Sequence, residues 1–82
     1  MNKQEIVMRL ERYGVKLTTN NIGMLQCRIG GTTATMYEDC LVFYQGGFRI
    51  SLAYEDIIAT GFYCNMLTLH GKRFKYQIGG NK

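Results

Sequence analysis

Few residues in this chain could do covalent or acid–base chemistry. There is one serine, Ser51, one histidine, His70, and three cysteines, Cys27, Cys40 and Cys64. Nucleophilic catalysis needs a hydroxyl or thiol held beside a base. Ser51 lies inside a strand-like run and His70 next to Gly71 at a turn, and neither is surrounded by a nucleophile-elbow pattern. Four of the six acids form two adjacent doublets, Glu38-Asp39 and Glu55-Asp56. Neighbouring residues of a strand point to opposite faces, so neither doublet makes a carboxylate dyad, and both read as turn formers. The cysteines are odd in number, form no C-x-x-C, and with one histidine offer no repeated ligand spacing. They read as buried reduced thiols, with a Cys3His zinc site as the sharper alternative. Gly30-Gly31-Thr32-Thr33 lacks the lysine and the spacing of a phosphate loop. The expectation is a chain that is not an enzyme and that uses no metal and no cofactor.

Binding is the chemistry that remains. Residues 1–71 carry six bases and six acids, so Lys72, Arg73, Lys75 and Lys82 supply the whole formal net charge of +4. A local patch says more about a partner than a diffuse charge does. In HGKRFKYQIGGNK, residues 70–82, the cations interleave with Phe74 and Tyr76. Sheet readers of single-stranded nucleic acid put aromatics and cations on one accessible face. Strict alternation turns Phe74 and Tyr76 one way and Arg73 and Lys75 the other, and GKRFKY does not match the RNA-recognition signature. The reading is therefore a protein-binding module that docks on an acidic surface through Lys72, Arg73, Lys75, Arg49, Tyr44 and His70. The aromatics Tyr44, Phe48, Tyr54 and Tyr63 are candidate anchors. Weak, salt-sensitive nucleic-acid binding through the same strand is the alternative. A third reading leaves the cations as a solvated face with no partner.

The elements that must position these residues follow from periodicity. Asn2 and Glu5 fit a capping box, and Ile6, Val7, Leu10 and Tyr13 recur at helical spacing before Gly14, so residues 3–13 read as a helix with one apolar stripe. The period then changes. Val15-Lys16-Leu17 alternates, Asn20-Asn21 marks a turn, Ile22 to Ile29 reads as a strand, and Gly30 to Thr33 breaks it before a short strand at Ala34 to Tyr37.

In CLVFYQGGFRISL, two strand-like runs flank Gly46-Gly47, a pair able to take the positive φ of a tight hairpin. That loop pairs Gln45 with Phe48, Tyr44 with Arg49, Phe43 with Ile50, Val42 with Ser51 and Leu41 with Leu52. Leu41, Phe43, Phe48, Ile50 and Leu52 then share one face. Ile57 to Tyr63 reads as a further strand, with Gly61 a candidate bulge. In the last hairpin, Leu67 and Leu69 share a face with Phe74, Tyr76 and Ile78 when the loop holds an even number of residues, such as Gly71-Lys72.

The order LVFYQGGFRISLAYEDIIATGFYCNMLTLHGKRFKYQI resembles the strand ladder of GRAM and bacterial pleckstrin-homology-like domains. Tyr54-Glu55-Asp56-Ile57 and Gly71-Lys72 are the matching pieces, and about half the chain is covered. The resemblance implies a ladder of antiparallel strands; no binding residue is carried over from it. In size and in its catalytic emptiness the chain also resembles in kind the small proteins that phages direct against host defences, inhibitors of CRISPR nucleases among them. That resemblance of type implies an inhibitor or adaptor of a nucleic-acid-handling enzyme.

Eighty-two residues read as one domain. A chain of this size buries only about 60–65% of the surface its unfolded form exposes, which leaves a homodimer open as a second source of stability. The opening MNKQEIVMRLERYG has no apolar leader core, and no run approaches the roughly 18 apolar residues that span a bilayer. The expected location is cytoplasmic. The expected fold class is α+β: one short N-terminal helix on a curved, mostly antiparallel sheet of five to seven strands, with a flexible tail at 79–82.

Overall fold

Asn2 starts the helix as its spacing to Glu5 implies. In the computed structural model, which describes residues 1–80, its side chain accepts the Glu5 N–H at 2.8 Å. The Glu5 carboxylate in turn accepts the Asn2 N–H at 3.2 Å, closing the capping box. Helix α1 spans Lys3–Arg12 and ends one residue earlier than expected, with Tyr13 as its cap. Ile6 and Leu10 are buried on its inner stripe. Arg9 and Arg12 lie in the last turn, where cations meet the negative end of the helix dipole.

Among the described residues eight strands follow in chain order: β1 Leu17–Thr19, β2 Leu25–Ile29, β3 Thr32–Met36, β4 Cys40–Gln45, β5 Phe48–Ala53, β6 Ala59–Tyr63, β7 Met66–His70 and β8 Lys75–Gly79. The class is α+β, as expected. The strands divide into a five-stranded sheet, β1-β2-β3-β4-β5, and a three-stranded one, β6-β7-β8, where one sheet of five to seven strands was expected. All pairs are antiparallel, and neither sheet closes on itself. The chain changes sheet at Tyr54–Asp56, a single 3₁₀ turn. There the Met1 ammonium donates to the carbonyls of Tyr54 at 3.0 Å and Ile57 at 2.8 Å.

The β4–β5 register agrees with the sequence expectation at all five residue pairs. Gly46 and Gly47 take φ of +59° and +82°, the left-handed conformation a two-residue primed turn demands. Elsewhere the boundaries move. Strand β2 begins at Leu25, not Ile22, because the Asn20 side chain folds the intervening loop by accepting the N–H groups of Ile22 and Met24. Strand β3 starts at Thr32, since Gly30-Gly31 alone makes the turn. Gly61 faces Thr68 in an unbroken ladder and forms no bulge.

The β7–β8 loop is Gly71–Phe74, four residues in place of two. Its parity is even, so Leu67 and Leu69 do share a face with Tyr76 and Ile78. Phe74 leaves the strand and lays its ring over Gly71, where an added Cβ would collide with the ring. Of the expected tail, Gly79 belongs to β8 and the Gly80 N–H donates to the Asn65 carbonyl at 2.8 Å. Asn81 and Lys82 lie outside the described residues.

The core is built from every layer. Leu41, Phe43, Ile29 and Met36 come from the larger sheet, Leu67, Leu69 and Ile78 from the smaller, Ile6 and Leu10 from α1, and Tyr54 and Ile57 from the corner. The helix is fixed on β6, where the Tyr13 and Thr60 hydroxyls lie 2.6 Å apart and the Tyr13 ring stacks on Phe62 at 5.5 Å. Strand β8 is fixed on the larger sheet at three points. Tyr76 meets Phe43 edge-on at 5.8 Å, Gln45 donates to the Gln77 carbonyl at 2.6 Å, and Gly79 packs against Gly30 and Ile29. Among the described residues, no helix is long and apolar enough to cross a membrane.

Candidate binding surface

Five of the six residues expected to dock a partner fall in two places, and His70 lies apart, within β7. Lys72 sits in the Gly71–Phe74 loop as expected, and Arg73 joins it there and not on the strand, because that loop is two residues longer than the shortest even one. With Phe74 they line one side of an open cleft of about 400 Å³ whose other side is Glu55, Asp56 and Ile58. These two cations therefore share a cleft with two carboxylates of their own chain, none within ion-pair distance, which lowers the field they offer to a partner.

Lys75, Arg49 and Tyr44 form the second place. Lys75 is exposed on β8 and shares a shallow concavity with Gln45, Tyr76 and Gln77. The Gln45–Gln77 hydrogen bond brings the tip of the β4–β5 hairpin against this strand. Tyr44 and Arg49 are direct cross-strand neighbours on the outer face of that hairpin, and Tyr44 is 62% exposed. None of Arg49, Lys75, Lys72 and Arg73 has a carboxylate within ion-pair distance; among the described residues the one ion pair is Lys3–Glu38, at 3.9 Å. His70 is half-buried at the end of β7 opposite Lys75, and its carbonyl accepts the Ile58 N–H. It belongs to the sheet more than to the surface.

Phe48, expected both to share a face with Leu41, Phe43, Ile50 and Leu52 and to be a candidate anchor, is 72% exposed. Its side chain does point to the inner face, opposite Gln45, but at the hairpin tip that face has run past the core. The signal was in the sequence, because a residue next to a two-residue turn lies at the end of the sheet. Tyr63, also named as an anchor, is 77% exposed, at the β6–β7 turn and not on the hairpin tip. Tyr54 is buried, and its hydroxyl donates to the Tyr37 carbonyl at 2.6 Å, so it anchors the corner and no partner. Burial raises its pKa well above the usual tyrosine range.

The cysteines share no site. Cys27 is buried in β2, Cys40 is half-buried in β4, and Cys64 is exposed in the β6–β7 turn, against the expectation that all three are buried. Burial pushes the Cys27 thiol up to about 11. Among the described residues, no three His, Cys, Asp or Glu side chains lie where they could share a metal ion. No protein-family model matches the chain, and neither a curated protein nor a solved structure is detectably similar to it.

Proposed function

We propose that this protein is a non-enzymatic module that binds another protein through the rim formed by the β4–β5 hairpin tip and β8. The observation that carries this reading is the crowding of exposed aromatics and a cation at one hairpin tip: Tyr44 and Arg49 are cross-strand neighbours on its outer face, Phe48 is exposed on its inner face, and the Gln45–Gln77 hydrogen bond ties the strand of Lys75 to that tip. Aromatic and arginine side chains are the residues that most often anchor interfaces, and opposed charge sets approach and register. The partner surface is acidic. Lys72 and Arg73, opposite Glu55 and Asp56, play the smaller part. An inhibitor or adaptor of a nucleic-acid-handling enzyme fits this description, since such a protein needs a docking surface and no catalytic centre.

The test is capture of a specific polypeptide by the immobilised chain. Arg49→Glu with Lys75→Glu should abolish capture, and Lys72→Ala with Arg73→Ala should weaken it only modestly. A labelled oligonucleotide shifted at physiological salt, with the shift lost in the Lys72→Ala, Arg73→Ala variant, would replace this reading with nucleic-acid binding. Such binding would weaken steeply with added salt.

A further inference from the structure

The four strands at sheet margins are not equally protected. An edge strand exposes unpaired N–H and C=O groups, and proteins blunt it with short length, lysine, a bulge or a covering element. Strand β1 has three residues and follows Lys16. Strand β6 has Gly61 at its centre and α1 bonded to its Thr60. Strand β8 carries Lys75, and Gln45 already occupies its Gln77 carbonyl. Strand β5, Phe48–Ala53, has six residues, no glycine and an unbroken register, and its single charge is Arg49. Only β4 pairs with it.

The hairpin geometry says which groups are free. The pair flanking a two-residue turn exchanges both of its hydrogen bonds, and bonded pairs then recur at every second position. Gln45–Phe48, Phe43–Ile50 and Leu41–Leu52 are therefore the bonded pairs. Arg49 and Ser51 turn their N–H and C=O groups away from β4. A strand laid along that edge would set alternate side chains beside Phe48 and Ile50 on one face and beside Arg49 and Ser51 on the other. Phe48 is exposed and Ile50 half-buried, so the first set must be apolar. Arg49 has no carboxylate partner among the described residues, so the second set must include an acid.

We propose that the outer edge of β5 is a strand-addition site for an extended peptide segment in which apolar and acidic residues alternate. This rests on the protein-binding reading above and names the conformation and chemistry of what is bound. A second copy of the chain is the poorer occupant, because FRISLA contains no acid to set beside Arg49.

The probe is a displayed library of random dodecapeptides panned on the intact protein. Enriched sequences should alternate apolar and acidic residues, and the leading peptide, made synthetically, should bind at least tenfold more weakly to Ser51→Pro and to Arg49→Glu. Proline at position 51 removes an N–H that points away from β4, where an edge strand tolerates it. Should Ser51→Pro fail to fold, the same peptide with alternate amides N-methylated reads the same hydrogen bonds on the unaltered protein and should not bind. No enrichment, enrichment without alternation, or equal binding by the N-methylated peptide would overturn the proposal. So would a solution mass of twice 9.4 kDa that Ser51→Pro halves, which would assign the edge to a second copy. Capture of a protein that depends on Arg49 and Lys75 but is indifferent to Ser51→Pro would sink strand addition and leave the binding reading standing.

Discussion

Gly79→Ala and Gly47→Ala together test whether β8 is held on the larger sheet as described. Both glycines have positive φ, +84° and +82°, so alanine at either costs about 1–2 kcal/mol of backbone strain. Their surroundings differ. Nothing lies within 4 Å of a Cβ built at Gly47. At Gly79 the same atom would stand 2.5 Å from Ile29 Cγ2, 2.8 Å from the Asn65 oxygen and 2.9 Å from the Ile29 oxygen. Two of these neighbours are backbone and cannot rotate away, so overpacking adds about 1–3 kcal/mol.

A chain of this length has about 4–12 kcal/mol of total stability at the usual amount per residue. It also loses about 6 °C of Tm per kcal/mol, from an unfolding entropy near 2.1 cal/mol/K per residue. Gly47→Ala should therefore lower Tm by about 6–12 °C and Gly79→Ala by about 12–30 °C, both read by circular dichroism at one scan rate. Equal shifts for the two variants would refute the Gly79–Ile29 contact, and with it the placement of Lys75 beside the hairpin tip.

Asn2→Ala removes the acceptor of the Glu5 N–H and should cost about 1 kcal/mol in chemical denaturation. Tyr13→Phe keeps the stack on Phe62 and loses the hydroxyl contact with Thr60, for about 0.5–1.5 kcal/mol by the same measurement. A thiol-reactive dye on the native protein at pH 8 should label Cys64 readily and leave Cys27 untouched until denaturant is added. Because folding raises the Cys27 pKa to about 11, the unfolded chain gives up that proton first. Stability should then be level below pH 9 and fall as pH rises toward 11, and Cys27→Val should flatten that slope.

The parts of the fold that were legible in the sequence are those set by neighbouring residues. The capping box needs only Asn2 and Glu5, and the β4–β5 register needs only Gly46-Gly47 and the apolar alternation on either side. The β7–β8 hairpin shows the limit of that logic. Alternation of Leu67, Leu69, Tyr76 and Ile78 settles the parity of the loop but not whether it holds two residues or four, and that difference moves Arg73 off the strand. The division into two sheets depends on how Tyr54, Ile57 and the Met1 ammonium pack at the corner, contacts more than 50 residues apart that no local pattern reports. The candidate surface was half legible. Its cations were visible as a charge imbalance, and the exposure of Phe48 follows from its place beside Gly46-Gly47, but the carboxylates that share a cleft with Lys72 and Arg73 emerge only once the strands are set side by side.

Strand order in both sheets follows chain order, which bears on how the molecule assembles. Every ladder joins sequence neighbours, so each hairpin can zip onto the one before it at little loop-closure cost. The first five strands can be in register before β6 exists, with Leu41, Phe43 and Met36 facing water. The slow step is then the arrival of the β6–β8 meander over that bare face. It needs contacts at long range: Tyr13 with Thr60 across 47 residues and Gln45 with Gln77 across 32. The rim that carries Lys75 and the hairpin tip is completed in that same step, so the candidate surface comes into being last, together with the core.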